Sequence, residues 1–508
     1  MTNSQNSAIS PHKCQIRLDQ NRLLINVDSG QLANKTLEIR PTFRRQIWID
    51  PLITTINNRD EAIQWLYDRI DYERIRPSPM SNPFRLERIE RLLKRIGSPQ
   101  ERIPAVHIAG TKGKGSTAAM IDSILQASGI RTGLFTSPHI EQFEERMRVS
   151  GRMPNPDQLT RLVAKLADLL QDSDQDSGDR IPTFFEITTL LAWMMFDEEK
   201  VEIAVLETGL GGRLDCTNVC RPLVNILTSI GLDHMHILGD TISLIAAEKA
   251  GILKAGVPVV QGQLSEVAEL VVTARASELG CRQYICGREF AWHVDHNDNQ
   301  LSGRKRSQKI FVLTPSGSYD GLTIPLLGNH QAHNASLAVM TAEILRDIGY
   351  RQIDATTISQ GLRSTHWPLR FEVFERTPTI VLDAAHNPDS MEAVASVLAG
   401  AEWLNRRRVL VFAASADKDA KSMIEIIRPH FDHVVFTRFV GNPRSRAPKE
   451  LLLIAESFPD DRTPATRCHV AESPDQAIDV AEELAGHNGL VVVTGSIFLA
   501  SEVRSLLV

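Results

Sequence analysis

The stretch from Pro104 to His139, PAVHIAGTKGKGSTAAMIDSILQASGIRTGLFTSPH, constrains this chain more than any other. Ala105 to Ala109 is a short apolar run suited to a buried parallel strand, and Met120, Ile121, Ile124 and Leu125 recur at helical spacing until Gly129 stops them. Between strand and helix, Gly110, Gly113 and Gly115 let the backbone turn its N–H groups inward toward phosphate oxygens. Lys114 adds a point charge there, and the helix start adds its positive end. Ser116 and Thr117 stand where a hydroxyl reaches a phosphate-bound Mg²⁺. The strict pattern G-x-x-x-x-G-K-[ST] is not met, because two residues rather than four separate Gly110 from Gly113 and Gly115 intervenes before Ser116. Taken alone, a glycine- and lysine-rich turn after a strand is also what a tight strand–helix connection looks like.

In open parallel sheets ligands bind beyond the carboxyl ends of the strands, so residues just after a strand are site candidates. The strand following the glycine-rich loop and helix ends at Ser137 and His139; VEIAVL, from Val201 to Leu206, ends at Glu207; the run from Val224 to Ser229 leads into Asp233 and His234. A hydroxyl, a carboxylate and an imidazole beside a phosphate loop complete the coordination of Mg²⁺, which keeps waters and substrate phosphates among its ligands. Each residue alone has a plainer reading, the glutamate as a cap or surface charge and the histidine as a structural side chain. Lys249, in AAEKAGI, reads on its own residues as an ordinary exposed lysine of an amphipathic helix.

Composition excludes more than it selects. At 508 residues the chain is too long for one ordinary core, and 42% hydrophobic with 23% charged content is globular, so two or more domains are expected. A net charge of -6 supplies no basic field for nucleic acid, so no such partner is expected. No apolar run approaches membrane length and the opening residues lack a signal-peptide core; a cytoplasmic chain without membrane association is expected. The six cysteines, Cys14, Cys216, Cys220, Cys281, Cys286 and Cys468, are sparse. Cys216/Cys220 and Cys281/Cys286 depart from the C-x₂-C spacing of zinc sites, and free thiols in a reducing compartment are the alternative reading.

Residues 1–57 are polar, without helical periodicity, and read as an N-terminal extension. Within it Gln15 to Leu18 and Leu23 to Val27 alternate as a hairpin would, although disorder fits the same composition. From Arg59 to Tyr350 strand-like and helical stretches alternate, which predicts a parallel sheet covered on both faces. The acidic run at 171–179 and the polar segment around 294–309 read as solvated insertions. After Trp367 a second α/β pattern begins with TIVLDAAH, RRVLVFAAS, HVVFTRF and LVVVTGS. The expected organisation is an extension over 1–57, an ATP-binding domain over 58–366 and a smaller Rossmann-like α/β domain over 367–508.

Taken in order, EAIQWLYDRIDYE, FRLERIERLLKRIG, GTKGKGST, TSPH, TFFEITTLLAW, VLETGLGGRLDCTN, LTSIGLDHMHILGDTISLIAAEKAGILK, NHQAHNASLA, WPLR, LDAAHNP, ADKD and TGSIFLASEVRSLL resemble the Mur ligase superfamily. The resemblance is to its folate branch, the dihydrofolate synthases and folylpolyglutamate synthases. Local departures are Lys112 where that branch more often has Asn, Cys216 where Ala is usual, and Leu369 where Gly commonly precedes the Arg.

The resemblance implies a Mur ligase-like α/β fold, with a phosphate-loop ATPase domain on a mainly parallel sheet. It further implies an ATP-dependent ligase, monomeric, that adds L-glutamate to dihydropteroate and reduced folates. On this basis Gly110, Thr111, Lys112, Gly113, Lys114, Gly115, Ser116 and Thr117 bind ATP, with Asn334 at the adenine, Arg370 at the phosphates and Asp383 on the ribose side. Ser137, Glu207 and His234 are the implied Mg²⁺ ligands. Lys249 is implied to become carbamylated by CO₂ and to help hold a second ion, which requires an amine pKa lowered by desolvation or nearby cations. Lys114, Lys249 and His386 are the implied catalytic residues, and His386 and Ser496 are implied to meet the incoming glutamate. The helix from Leu86 to Leu93, with Phe184, Phe185, Glu186 and Leu214, is implied to face the acceptor, core packing being the competing reading for the apolar residues. A peptidoglycan Mur ligase would carry a complete N-terminal α/β domain, for which the segment before Pro104 is too short and too helical.

Overall fold

The alternation at residues 15–27 is realised as an antiparallel hairpin in which β1 (Cys14–Asp19) pairs with β2 (Arg22–Val27), Leu18 opposite Leu23. The structure, a computed structural model, describes residues 14–19, 22–27, 55–69, 86–171, 182–295, 301–302, 305–400, 403, 405–458 and 465–508. It divides into Met1–Thr55, which holds the hairpin, and Ile56–Val508, which holds everything described below. The acidic run at 171–179 lies outside the described residues except for Gln171.

The phosphate-loop strand lies at the centre of a seven-stranded sheet of order β5-β4-β6-β3-β7-β8-β9. Its members are β3 (Pro104–Ala109), β4 (Thr132–Phe135), β5 (Met147–Val149), β6 (Ile203–Glu207), β7 (Arg221–Leu227), β8 (Val259–Gln261) and β9 (Gln283–Ile285). Every pairing is parallel except that of β5 with β4. The near-continuous apolar runs are explained by burial on both faces. Side chains alternate along each strand: Val106, Ile108, Ile203 and Val205 enter one core, while Ala105, Ala204 and Leu206 enter the other. Helices α1 (Arg59–Tyr67), α2 (Leu86–Arg95), α4 (Pro156–Gln171) and α5 (Phe184–Glu198) cover the second face. The first face is covered by α3 (Lys114–Ala127), α9 (Asn329–Asp347) and α10 (Ala355–Ser364). Between β7 and β9 the chain forms α6 (Met235–Leu238), α7 (Ile242–Ala250) and α8 (Glu266–Glu278), of which α7 and α8 pack beside β7 and β8.

The segment around 294–309 differs from the expectation of a solvated insertion. Its ends belong to an antiparallel three-stranded sheet of β10 (Ala291–Asp295), β13 (Gln308–Thr314) and β14 (Gly317–Ile324), and β11 (Leu301–Ser302) pairs with β12 (Lys305–Arg306) within it. Polar residues hid it: Gln308 is buried and donates from its amide to the carbonyls of Leu326 and Gly328, fixing the turn that starts α9.

A second, six-stranded sheet has the order β15-β16-β20-β17-β18-β19. The four runs read from the sequence are β16 (Thr379–Leu382), β17 (Arg408–Phe412), β18 (His433–Phe436) and β20 (Leu490–Thr494), all in parallel pairings; β15 (Glu372–Phe374) and β19 (Arg467–Val470) complete the edges. Edge strands bury less, so their periodicity was weaker. The carboxyl ends of β16, β17 and β20 deliver Asp383, Lys418 and Ser496 to one side of the sheet.

Cys216, Cys220, Cys281 and Cys286 carry free thiols, and among the described residues no three His, Cys, Asp or Glu side chains group as a metal site would. No helix among the described residues is long and apolar enough to cross a membrane.

Helix α3 owes its position to a close approach by α10. A Cβ on Gly361 would come within 2.7 Å of the Ile124 nitrogen and the Ser123 carbonyl oxygen, and backbone cannot yield as a flexible side chain can. Gly361→Ala is therefore expected to destabilise the protein by about 1–3 kcal/mol in urea unfolding, although alanine favours a helix.

Candidate active site

The loop between β3 and α3 is stitched to the end of β7. Thr111 N–H donates to the Ser229 carbonyl and Lys112 N–H to the Ser229 hydroxyl, both at 2.8 Å, while the Thr228 hydroxyl donates to the Lys112 carbonyl at 2.6 Å. Gly113 caps α3 at φ +83, and a Cβ there would run into the side-chain oxygen of Asn334. Only glycine satisfies both constraints. The first N–H groups of α3 follow from Lys114 and, as at any helix start, lack intrahelical acceptors, which gives an anion-binding end. Ser116 and Thr117 are buried; Ser116 lines the cleft, whereas the Thr117 hydroxyl is sealed off without a hydrogen-bond partner.

The strand-end residues converge on this loop. Glu207 is buried at the end of β6, accepts the Ser137 N–H at 3.3 Å and lies 3.9 Å from Lys114 Nζ. Burial raises its pKa and Lys114 opposes the rise. Lys249, on α7, is not the exposed lysine its helix resembles: it is 4% exposed and donates to the Gly110 carbonyl at 2.8 Å. Burial, assisted by Lys114, brings its pKa down to about 7. Lys112 donates to Asp233 at 2.8 Å, and Lys418 from the second sheet lies 3.8 Å from the same carboxylate. Although burial opposes it, these cations hold Asp233 well below the usual carboxylate range. His234, at φ +51, is lowered to about 4 by desolvation and by Lys418 and the loop lysines. It lines the cleft with its side chain 47% exposed.

The donor set fits Mg²⁺ in one way. Ser137, Glu207 and a neutral His234 offer hard or borderline ligands on three strand ends, too few to enclose an ion, so the ion's remaining ligands must be water and phosphate oxygens.

The second sheet meets the loop through the segment before β15. Leu369 and Phe371 both lie in the left-handed region, at φ +57 and +49, and flank Arg370. Asp383 accepts the N–H groups of Phe371 and Ala385, each at 2.8 Å, and is close enough to the half-buried Arg370 for their charges to act on each other. Burial raises the Asp383 pKa and Arg370 counters it. His386 bonds through Nδ1 to the Ala384 carbonyl and is held neutral, down at about 3, by burial and by Lys112 and Lys418. Asn334, Arg370, Asp383, His386 and Ser496 share with the phosphate loop one cleft of about 1350 Å³.

On the acceptor side the adjacent phenylalanines part company. Phe185 and Leu214 line the cleft, whereas Phe184, expected there too, is core: it stacks on Tyr67 and lies under the Arg146 guanidinium. Residues one apart on a helix point about 100° away from each other, so one of the pair had to face inward. Glu186 accepts the Thr183 N–H at 2.8 Å, capping α5, and takes both Nε and Nη2 of Arg88 at 2.6 Å. Arg88, Arg146, Lys418 and Arg444 were not foreseen. Lys418 and Arg444 follow strand ends, so the same rule applied to β17 and β18 would have found them.

Two family descriptions match the chain: the Mur ligase middle domain over residues 108–342, and the Mur ligase glutamate ligase domain over 369–497. The chain belongs to the Mur ligase family. Within it, the chain is 35% identical over 448 residues to the dihydrofolate synthase/folylpolyglutamate synthase of Bacillus subtilis, covering 88% of this chain and 98% of that one. It therefore belongs to the dihydrofolate synthase/folylpolyglutamate synthase family. Among solved structures, Mycobacterium tuberculosis folylpolyglutamate synthase complexed with ADP is similar at TM-score 0.77 and 33% identity, covering 88% of this chain and 98% of that one. E. coli FolC in complex with DHPP and ADP is similar at TM-score 0.72 and 27% identity, with 88% and 97% covered.

The Arg88–Glu186 pair is nearly dry, the side chains being 15% and 3% exposed. Arg88→Ala should cost about 3 kcal/mol in chemical denaturation by stranding a buried carboxylate, and Arg88→Ala/Glu186→Gln should recover part of that loss.

Proposed function

We propose that this protein is an ATP-dependent ligase that joins L-glutamate to dihydropteroate and to reduced folates, releasing ADP and phosphate. The carrying observation is that one cleft brings the phosphate loop and the strand-end set of Glu207, His234 and Lys249 opposite His386 and Ser496 of the second sheet. In this reading residues 58–366 bind ATP and the acceptor, and residues 367–508 bring the glutamate.

The chemistry follows from what a carboxylate lacks. Its oxygen is no leaving group until it takes the γ-phosphoryl of ATP as an acyl phosphate. The glutamate amine then attacks the carbonyl, and phosphate departs as the amide forms. Lys114 and the amides of the loop stabilise the charge on the transferring phosphoryl group. Ser137, Glu207 and His234 would hold a Mg²⁺ ion, which would supply further neutralisation of the phosphates. Asn334 contacts the adenine, Arg370 the phosphates and Asp383, through the segment it anchors, the ribose side. A neutral His386 beside the glutamate amine accepts hydrogen bonds without repelling it. Closure of the two halves excludes water from the acyl phosphate.

Lys249 is suited to carbamylation because CO₂ adds only to a neutral amine, and a pKa of about 7 leaves a large neutral fraction near neutrality. The sign is fixed by the lowered value: the neutral fraction grows as pH rises through 7 and shrinks below it. The carbonyl-¹³C signal of a ¹³CO₂-labelled carbamate should therefore be strong at pH 8, fade toward pH 6 and be missing from Lys249→Ala. That variant should bind ADP within a few-fold of the parent yet turn over at least about 100-fold more slowly; parent-like turnover would show that the amine has no part in catalysis.

Purified protein given ATP, Mg²⁺ and L-glutamate with either dihydropteroate or tetrahydrofolate should form ADP, phosphate and the glutamyl product from both acceptors. AMP and pyrophosphate would exclude the acyl-phosphate route, and a single active acceptor would reduce the activity to one ligase.

A further inference from the structure

A dicarboxylate amino acid brings two anionic groups into the cleft, and the residues so far assigned to it account for only one. Ser496 caps the final helix, Ile497–Leu507, so the end of β20 offers a hydroxyl and the helix's positive end to one carboxylate, the one adjoining the reacting amine. We infer that the second, the side-chain carboxylate, is read by Arg444, a proposal that rests on the ligase reading above.

The placement is geometric. Arg444 lies in the loop after β18, which folds back across the end of β17: Ala416 N–H donates to the Arg444 carbonyl at 2.7 Å, Arg446 N–H to the Ala414 carbonyl at 2.9 Å, and Ser415 and Ser445 form a bridge. β17 adjoins β20, so the loop carrying Arg444 crosses beside the strand that ends at Ser496, and both residues line the one cleft. Arg444 lines the cleft, and its Nε is buried with no hydrogen-bond partner. Its nearest anion, Asp417, lies 3.8 Å from Nη1, beyond hydrogen-bond length, so the fork keeps donors for a bidentate carboxylate.

Of the nearby cations, Lys418 lies 3.8 Å from Asp233, and Arg446 donates from its guanidinium to the Ala416 carbonyl. The loop does not depend on the arginine side chain for its shape. Asn442 Oδ1 accepts the Arg444 N–H at 3.0 Å and Ser445 Oγ accepts the Phe439 N–H at 3.1 Å, both independent of the guanidinium. A side chain unneeded by its own loop and aimed into a cleft is free to serve a ligand.

The test is steady-state kinetics of the full chain with saturating ATP and tetrahydrofolate, first on the parent protein. Glutamate-dependent ADP release by the parent is required; its absence overturns the ligase reading and this proposal with it. Given that activity, Arg444→Ala should raise the KM for L-glutamate about 10- to 100-fold, the loss expected for charge-assisted hydrogen bonds, with the KM for ATP and for tetrahydrofolate within about twofold. The preference for L-glutamate over L-glutamine, which keeps the shape and lacks the side-chain charge, should narrow by a similar factor. Arg444→Lys, which retains the charge and stem but loses the fork, should fall between, and serves as the reporter if the alanine variant does not fold. An unchanged KM for L-glutamate, or an unchanged preference over L-glutamine, would overturn the assignment even if thermal stability fell.

Discussion

The Asp383 carboxylate accepts the N–H groups of Phe371 and Ala385 while acting on the Arg370 guanidinium, and the way the second sheet presents Arg370 to the cleft depends on that contact. Hydrogen bonds to a buried charge contribute about 1.5–3 kcal/mol each, enough to fix the segment that carries Arg370. The anchored segment carries Arg370 toward Glu207, which also influences it. A second link binds the same halves from the far side. Ser501 donates to the Ile140 carbonyl at 2.5 Å, and Arg504 bridges Glu141 and Glu372. The stretch from Ser137 to Glu145 thus touches Glu207 at one end and the final helix in its middle.

Positive charge gathers at the phosphate loop. Lys112, Lys114, Lys249 and Lys418 stand around it beside Asp233 and Glu207, with Asp215 also acting on Lys249. In a low-dielectric setting such crowding of cations is costly unless anions arrive or a cation loses its charge. Both remedies are present: the loop is open to phosphate, and Lys249 sheds its proton near neutrality.

Where a side chain is placed by a local motif, it was legible. The glycine loop, Glu207 at the end of β6 and Asp383 at the end of β16 follow from strand-then-turn patterns that a few residues encode. What decided the rest was tertiary. The helix of Lys249 has the same pattern whether its lysine faces water or the Gly110 carbonyl, because the covering loop is 139 positions away. Phe184 and Phe185 are chemically identical neighbours, separated only by helical phase. The antiparallel sheet of β10, β13 and β14 escaped because its polar residues, Gln308 among them, have buried partners that composition does not reveal.

The left-handed residues on either side of Arg370 bear on affinity. Leu369 and Phe371 have side chains that make that conformation cost about 1–2 kcal/mol apiece, and their burial in the second half holds them there. Both side chains are packed in cores of the second half, so folding rather than a ligand holds the strain, and Arg370 stands in the cleft before any substrate arrives. A substrate that meets Arg370 there is spared the cost of ordering this segment, because packing has already met it.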